Sequence, residues 1–279
     1  MQTATQLTLD RGTDRLAVTV HPATTATPDA PFYVLVPAMG VPARYYGPLV
    51  DALLATGAGL AVTDLRGTGA STPIPSRAAR YGMAELVDDV DAVLAATAEH
   101  RQGRATILFG HSLGGQISVL HLGRTAESPD VDGAVLVASG LPYWRLFGWS
   151  GPFVWSFAEF LNGVSAIAGA WPGWTFGGKQ ARGVIRDWAV TARRGRFAAR
   201  LNAKPGLSRV TAPILAISVD SDQYTPSRTT DRLLSWVPNA KLTRRHLTHA
   251  EAGVRIDHFK WVKAPQAVVD HVTAWLPTP

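Results

Sequence analysis

The sequence predicts an α/β fold, with a mainly parallel sheet, helices on both faces and an inserted cap. Three observations predict it. Short apolar runs alternate with helix-spaced ones along most of the 279 residues, the pattern of parallel strands joined by crossover helices. The runs "FYVLVPA" and "ILFG" carry no charge, as suits strands covered on both faces. From Leu141 to Pro205 the alternation fails in a stretch rich in Trp, Gly and Phe, and then it resumes.

Taken in order, "TQLTLD" and "RLAVTV" read as an opening strand pair, followed by the buried strand "FYVLVPA". "ARYYGPLVDALLATG" has helical spacing and stops at a glycine. "GLAVTDL" is the next strand, and "RYGMAELVDDVDAVLAATAEHR" reads as one long amphipathic helix. "RATILFG" leads into a helix from about Ser112, and "VDGAVLVAS" is a further strand. After the irregular stretch come "PILAISV", a helix opened by "TPSRTTDRLL", the strand "AKLTRRHLT" and the final helix "APQAVVDHVTAWL". Residues 1–140 and 206–279 therefore form the predicted core, and 141–205 an insertion over the carboxyl edge of the sheet, where ligands sit in open α/β folds.

Composition narrows the function classes. There is no cysteine, which excludes disulfides and thiolate metal sites. The amino-terminal stretch carries charges and lacks an apolar run of signal-peptide length, so a cytoplasmic location is expected. "GPFVWSFAEFLNGVSAIAGAWPGW" approaches bilayer length, but Glu159, Asn162, its glycines and Pro172 interrupt it, and no transmembrane span is expected. The formal charge is +6, and nine Lys or Arg between Lys179 and Arg209 face the single acid Asp187. Such a stretch either attracts an anionic ligand or is a solvated face. No metal-ligand spacing, dinucleotide fingerprint or phosphate loop is present. No metal, cofactor or nucleic-acid partner is expected.

The stretch "ILFGHSLGGQ" carries the chemistry. A serine on a sharp strand-to-helix turn takes strained backbone angles and needs neighbours almost free of side chain, which Gly110 and Gly114 supply around Ser112. The helix behind the turn favours developing negative charge. The competing reading is a glycine-rich turn whose serine merely caps the helix.

These residues resemble the α/β-hydrolase superfamily. "GHSLGGQ" is similar to its nucleophile elbow, and "TDLRGTGAST", with Asp64, Arg66, Gly67, Gly69 and Ser71, to its D-x-R-G-x-G-x-S loop. "VPAMGVPARYY" stands where the family has a strand ending in His-Gly, here replaced by Pro37-Ala38. "AMGVPARYY" together with "GHSLGGQ" is most similar to a subgroup of predicted serine hydrolases. The resemblance implies an α/β-hydrolase fold, with Ser112 as nucleophile and the backbone N–H groups of Met39 and Leu113 as oxyanion donors. The acid follows a strand and precedes the histidine in chain order. "ILAISVDSDQYTP" offers Asp220 and Asp222, and the family's spacing to Pro226 favours Asp222. Thr225 would cap the following helix, with Pro226 in its first turn.

Of eight histidines, His100, His121 and His271 fall within helical patterns. His21 lies early in the chain, His111 would point away from the turn, and His246 and His249 sit at the last strand. His258 in "RIDHFKWV" matches the family's histidine loop, with Asp257 where glycine is usual. The implied enzyme is a serine hydrolase of a carboxylic ester, thioester or lactone acting through Ser112, His258 and Asp222. Transfer of the acyl group to another acceptor, and a ligand-binding protein on the same fold, are the alternatives. The substrate would be a small molecule with an apolar acyl or alcohol part and, if the basic stretch takes part, an anionic end. Trp144, Trp155, Trp171 and Trp174 are candidates to line its pocket. "PGWTFGGKQARG" reads as a hinge or lid.

Overall fold

The strands predicted by the apolar runs assemble into one sheet of eight, described here from a computed structural model that covers residues 3–276 except 25, 26, 28 and 176. In chain order they begin with β1 (Thr5–Arg11), β2 (Asp14–His21), β3 (Phe32–Val36), β4 (Gly59–Thr63), β5 (Thr106–His111) and β6 (Gly133–Val137). Two short strands, β7 (Ala170–Trp171) and β8 (Gln180–Ala181), form a separate antiparallel pair. β9 (Pro213–Val219) and β10 (Lys241–Leu247) complete the large sheet. Its order is β1-β2-β4-β3-β5-β6-β9-β10, antiparallel at β1/β2 and β2/β4 and parallel elsewhere.

The helices are α1 (Gly47–Ala55), α2 (Met83–Ala96), α3 (Ala98–Arg101), α4 (Leu113–Arg124), α5 (Gly151–Ala168), α6 (Arg182–Arg194), α7 (Ala203–Leu207), α8 (Ser227–Leu234), α9 (His249–Ala252) and α10 (Gln266–Trp275). Two-residue periodicity sorts the strand side chains between two cores. Tyr33, Leu35, Phe109, Val135, Val137, Leu215 and Ile217 pack with Leu49 and Leu53 of α1 and Val269 of α10. Their alternates Val34, Leu108, Leu136, Ile214 and Ala216 pack with Leu86 and Val90 of α2 and Ile117 and Leu120 of α4. The predicted α/β-hydrolase fold is the observed one. β10 borders solvent with Lys241, Arg244 and Arg245, charges that discourage further strand pairing.

The long helix predicted over 80–101 is instead two, α2 and α3. The Thr97 hydroxyl turns back to the Val93 carbonyl at 2.7 Å, a local bond that competes with helix continuation. The irregular stretch contains the long helix α5, packed on α6. Its sequence signal is weak because apolar residues surround α5: Ala158 and Leu161 are buried, while Phe153, Phe160 and Ile167 are exposed. Among the described residues, no helix is long and apolar enough to cross a membrane.

His121 of α4 is fully buried between two carboxylates, with Nδ1 3.0 Å from Asp91 and Nε2 2.9 Å from Asp130. Burial would lower its pKa, but hydrogen bonding to Asp130 and Asp91 outweighs burial and raises it. The same contacts hold both carboxyls below their usual range. A raised histidine pKa contributes stability that is complete below about pH 6.5 and is lost as pH rises through the folded value. Lowered carboxyl pKa values contribute stability above about pH 4 that is lost on acidification. The melting-temperature gap between wild type and His121→Gln should therefore be widest, at several degrees, between those limits and should narrow towards alkaline pH. Parallel melting curves across this range would show that the imidazolium contributes nothing.

Candidate active site

Ser112 sits between β5 and α4 with φ 53° and ψ −114°, a strained conformation for a residue with a side chain. The flanking glycines are a steric requirement. A Cβ on Gly114 would stand 2.6 Å from the Val36 carbonyl carbon, and one on Gly110 would stand 2.6 Å from Gly115 N. The turn presents the Ser112 hydroxyl 2.9 Å from His258 Nε2. His258 Nδ1 lies 3.0 and 2.9 Å from the two oxygens of Asp222. Both partners are buried. The structure thus brings together the serine, histidine and aspartate that the sequence singles out.

Asp222 Oδ1 also accepts the N–H groups of Tyr224 (2.9 Å) and Thr225 (2.7 Å). Burial pushes its pKa up, but the bonds from His258 and Thr225 prevail and hold the carboxyl below its ordinary value. Thr225 differs from its predicted role. The position preceding α8 is Pro226, and the Thr225 hydroxyl lies 2.7 Å from Asp222 Oδ2 and 2.8 Å from the Ala138 carbonyl. Its side chain steadies the acid rather than the helix. Asp220, the competing acid, belongs to a separate cluster: its oxygens meet His246 Nε2 at 3.0 Å and the His249 N–H at 2.8 Å.

The Met39 N–H has no hydrogen-bond partner among the described residues. The Leu113 N–H, in the first turn of α4, has no intrahelical acceptor. Both residues line the small cavity at Ser112. The loop that carries Met39 is fixed from below. The Ala38 N–H donates to Tyr46 Oη at 2.8 Å, and Tyr46 donates to His111 Nδ1 at 2.8 Å. That leaves His111 Nε2–H to donate to the His258 carbonyl at 2.9 Å. Complete burial, reinforced by the nearby His258, lowers the His111 pKa to about 3. The ring is therefore neutral and keeps this tautomer. One buried chain connects the Met39 loop to the backbone of the histidine, through the tyrosine of "ARYY" and the histidine of "GHS".

The D-x-R-G-x-G-x-S loop is structural. Asp64 accepts the N–H groups of Ala43 (2.6 Å) and Ala70 (2.9 Å), while Arg66 pairs with Asp89 and Asp14. Asp64 thereby ties this loop to the segment that follows Met39.

The cavity at Ser112 is also bounded by Gln116, Pro142, Trp188 and Tyr224. Pro142, Trp188 and Tyr224 also border an adjoining cavity of about 680 Å³, where Phe147, Trp149 and Phe153 add apolar surface. None of Trp144, Trp155, Trp171 and Trp174 lines either cavity. Trp171 is fully buried within residues 141–205, edge-on to Phe160 and Trp174, while Trp155 and Trp174 are exposed. Trp144 lies edge-on to Tyr143 under the Arg145 guanidinium. Trp188 and Trp149 occupy the expected role instead. Sequence reasoning also missed Tyr224, whose only signal is its place two residues after Asp222. The loop predicted as a lid crosses the Met39 loop, and a Cβ on Gly178 would stand 3.6 Å from Gly40 Cα. Phe176 of that loop lies outside the described residues.

The family model for serine aminopeptidase, S33, matches residues 31–195. The chain belongs to that family. As an S33-family member it is an α/β-hydrolase enzyme, and solved structures share its fold. A soluble variant of monoglyceride lipase from Saccharomyces cerevisiae is 14% identical, with 99% of this chain and 96% of that chain covered at a TM-score of 0.71. The enol-lactonase from Burkholderia xenovorans LB400 is 16% identical, covering 97% and 99% at 0.62. The thioesterase domain from the curacin biosynthetic pathway is 15% identical, covering 98% and 100% at 0.63. No curated protein sequence matches the chain.

Proposed function

We propose that this S33-family enzyme hydrolyses carboxylic esters, thioesters or lactones with an apolar acyl group, through an acyl-enzyme on Ser112. The observation that carries the reading is the chain of contacts from Ser112 Oγ through His258 to Asp222. His258 Nε2 takes the hydroxyl proton as Oγ bonds to the carbonyl carbon, while Nδ1 keeps its own proton and donates it in a hydrogen bond to Asp222. The carbonyl π electrons move to oxygen, which the N–H groups of Met39 and Leu113 stabilise. Collapse expels the alcohol or thiol, which receives the proton from His258. Water, deprotonated by the same nitrogen, then releases the acid and restores Ser112.

Two features favour an apolar acyl ester over a peptide with a free amino terminus. Met39, Leu113, Pro142 and Trp188 give the cavity an apolar wall. Across both cavities the only lining carboxylate among the described residues is Asp222, already engaged by His258 and Thr225. A free ammonium group would lack a counter-charge there. We assign residues 141–205 as the cap of this site, since Trp188 and the 177–178 loop of that segment lie over it. The "AMGVPARYY" and "GHSLGGQ" wording supports membership of a subgroup of predicted serine hydrolases that it resembles.

The test is a series of p-nitrophenyl esters from acetate to octanoate beside an aminoacyl p-nitroanilide. Each methylene buried against the Trp188 wall is worth about 0.8 kcal/mol, a ceiling of about fourfold in kcat/KM per carbon. The ratio should climb from acetate to the medium chains. A flat series, or faster cleavage of the anilide, would overturn the apolar-ester reading.

A further inference from the structure

The basic stretch of the cap has a structural counterpart that the reaction above does not use. A cleft of about 520 Å³ lies between the cap and the segment before α2, and Arg77, Arg80, Arg182, Arg186 and Arg200 line it. It shares no lining residue with the two cavities at Ser112. Arg77 and Arg80 come from the core, and the other three come from the cap about a hundred residues later, so folding brings together cations that are remote in sequence.

The acids nearby are already committed. Glu85 accepts the Gly82 N–H at 2.6 Å, closing the start of α2. Asp187, fully buried, accepts the Met83 N–H at 2.9 Å and Arg200 Nε at 2.8 Å, with Arg186 3.6 Å away. Arg77 donates to the Ile167 carbonyl. Arg80 and Arg182 are exposed and have no hydrogen-bond or ion-pair partner among the described residues. The amino terminus of α6 opens at the same place, because Arg182 and Gly183 are its first residues. That helix has no side-chain cap and no acid in its first turn. Like charges gathered around a cleft with unused donors repel one another unless an anion sits among them. Arginine forks match phosphate oxygens in pairs, and free helix N–H groups add to the same field.

We infer that this cleft binds a phosphate- or diphosphate-bearing ligand, held chiefly by Arg80 and Arg182 from opposite walls, core and cap. Its volume exceeds that of a single phosphate and lies within the range of small-molecule sites. α6 also carries Trp188, so the phosphate would be gripped by the same helix that walls the cavity at Ser112. The cap's positive charge serves this separate site rather than the acyl group.

The test is isothermal titration calorimetry of the full chain with inorganic pyrophosphate at low ionic strength, where screening is weak. It is paired with sedimentation on vesicles of phosphatidylcholine with or without phosphatidic acid. Arg80→Ala/Arg182→Ala is compared with Lys241→Ala/Arg245→Ala, an equal charge loss on β10. Saturable pyrophosphate binding, weakened at least about tenfold in the cleft variant only, supports a free phosphorylated ligand. Binding confined to phosphatidic acid vesicles and lost in the cleft variant only supports the same site with its phosphate on a lipid. Equal weakening in both variants, or no binding of either probe by wild type, overturns the inference. The removed side chains are exposed, so an unchanged melting temperature identifies the effect as one on binding.

Discussion

Ser112→Ala should lower ester turnover by about five to six orders of magnitude while leaving the melting temperature within a few degrees of wild type. The variant keeps the Met39 and Leu113 N–H groups, so slow residual cleavage above the solution rate is expected. The strained φ of 53° at Ser112 is set by the β5–α4 turn and the two glycines, not by the hydroxyl. Alanine can occupy the same turn at similar cost. His258→Ala should be almost as damaging, because groups that act as a unit fail together. Turnover by Ser112→Ala within tenfold of wild type would remove the nucleophile from this position.

The second large effect separates the two candidate acids. In Asp222→Asn the amide must still offer an oxygen to the Tyr224 and Thr225 N–H groups, which turns its NH₂ towards His258 Nδ1. The imidazole must then carry its proton on Nε2, where Ser112 needs an acceptor. Turnover should fall about 10⁴-fold. Asp220→Asn disturbs only the His246 and His249 contacts and should cost less than about threefold. A larger loss at position 220 would reverse the assignment.

Much of this arrangement is legible in the sequence because local chemistry dictates it. A buried strand followed by glycine, serine and glycine before a helix can be read without tertiary knowledge, since the steric demand on Gly110 arises from Gly114 and Gly115 within a few residues. That on Gly114 comes instead from Val36 and Pro37 at the end of the neighbouring β3. The acid and the histidine are legible only through the resemblance, which favours Asp222 by the family's spacing to Pro226 and His258 by the family's loop before the last helix. The cap is not. α5 is apolar nearly all round, so its sequence does not say which side is inward, and the direction of each tryptophan depends on α6 and the sheet edge beneath. Trp188 follows Asp187 on α6, and Asp187 anchors that helix by accepting the Met83 N–H, a contact that no local pattern announces. The hydroxyl of Thr225 was equally available to a helix end or a carboxylate, and only the fold decides between them. Tyr46 and His111 look like packing residues until β3, β5 and the histidine loop converge.

Covalent labelling distinguishes Ser112, as the activated nucleophile, from every other hydroxyl of the chain. Wild-type enzyme treated with a fluorophosphonate, digested and mapped by tandem mass spectrometry should carry one adduct, on the peptide containing Ser112. His258→Ala should label far more slowly, because the hydroxyl loses the base 2.9 Å away. An adduct on any other residue, or unchanged labelling in Ser112→Ala, would place the nucleophile elsewhere.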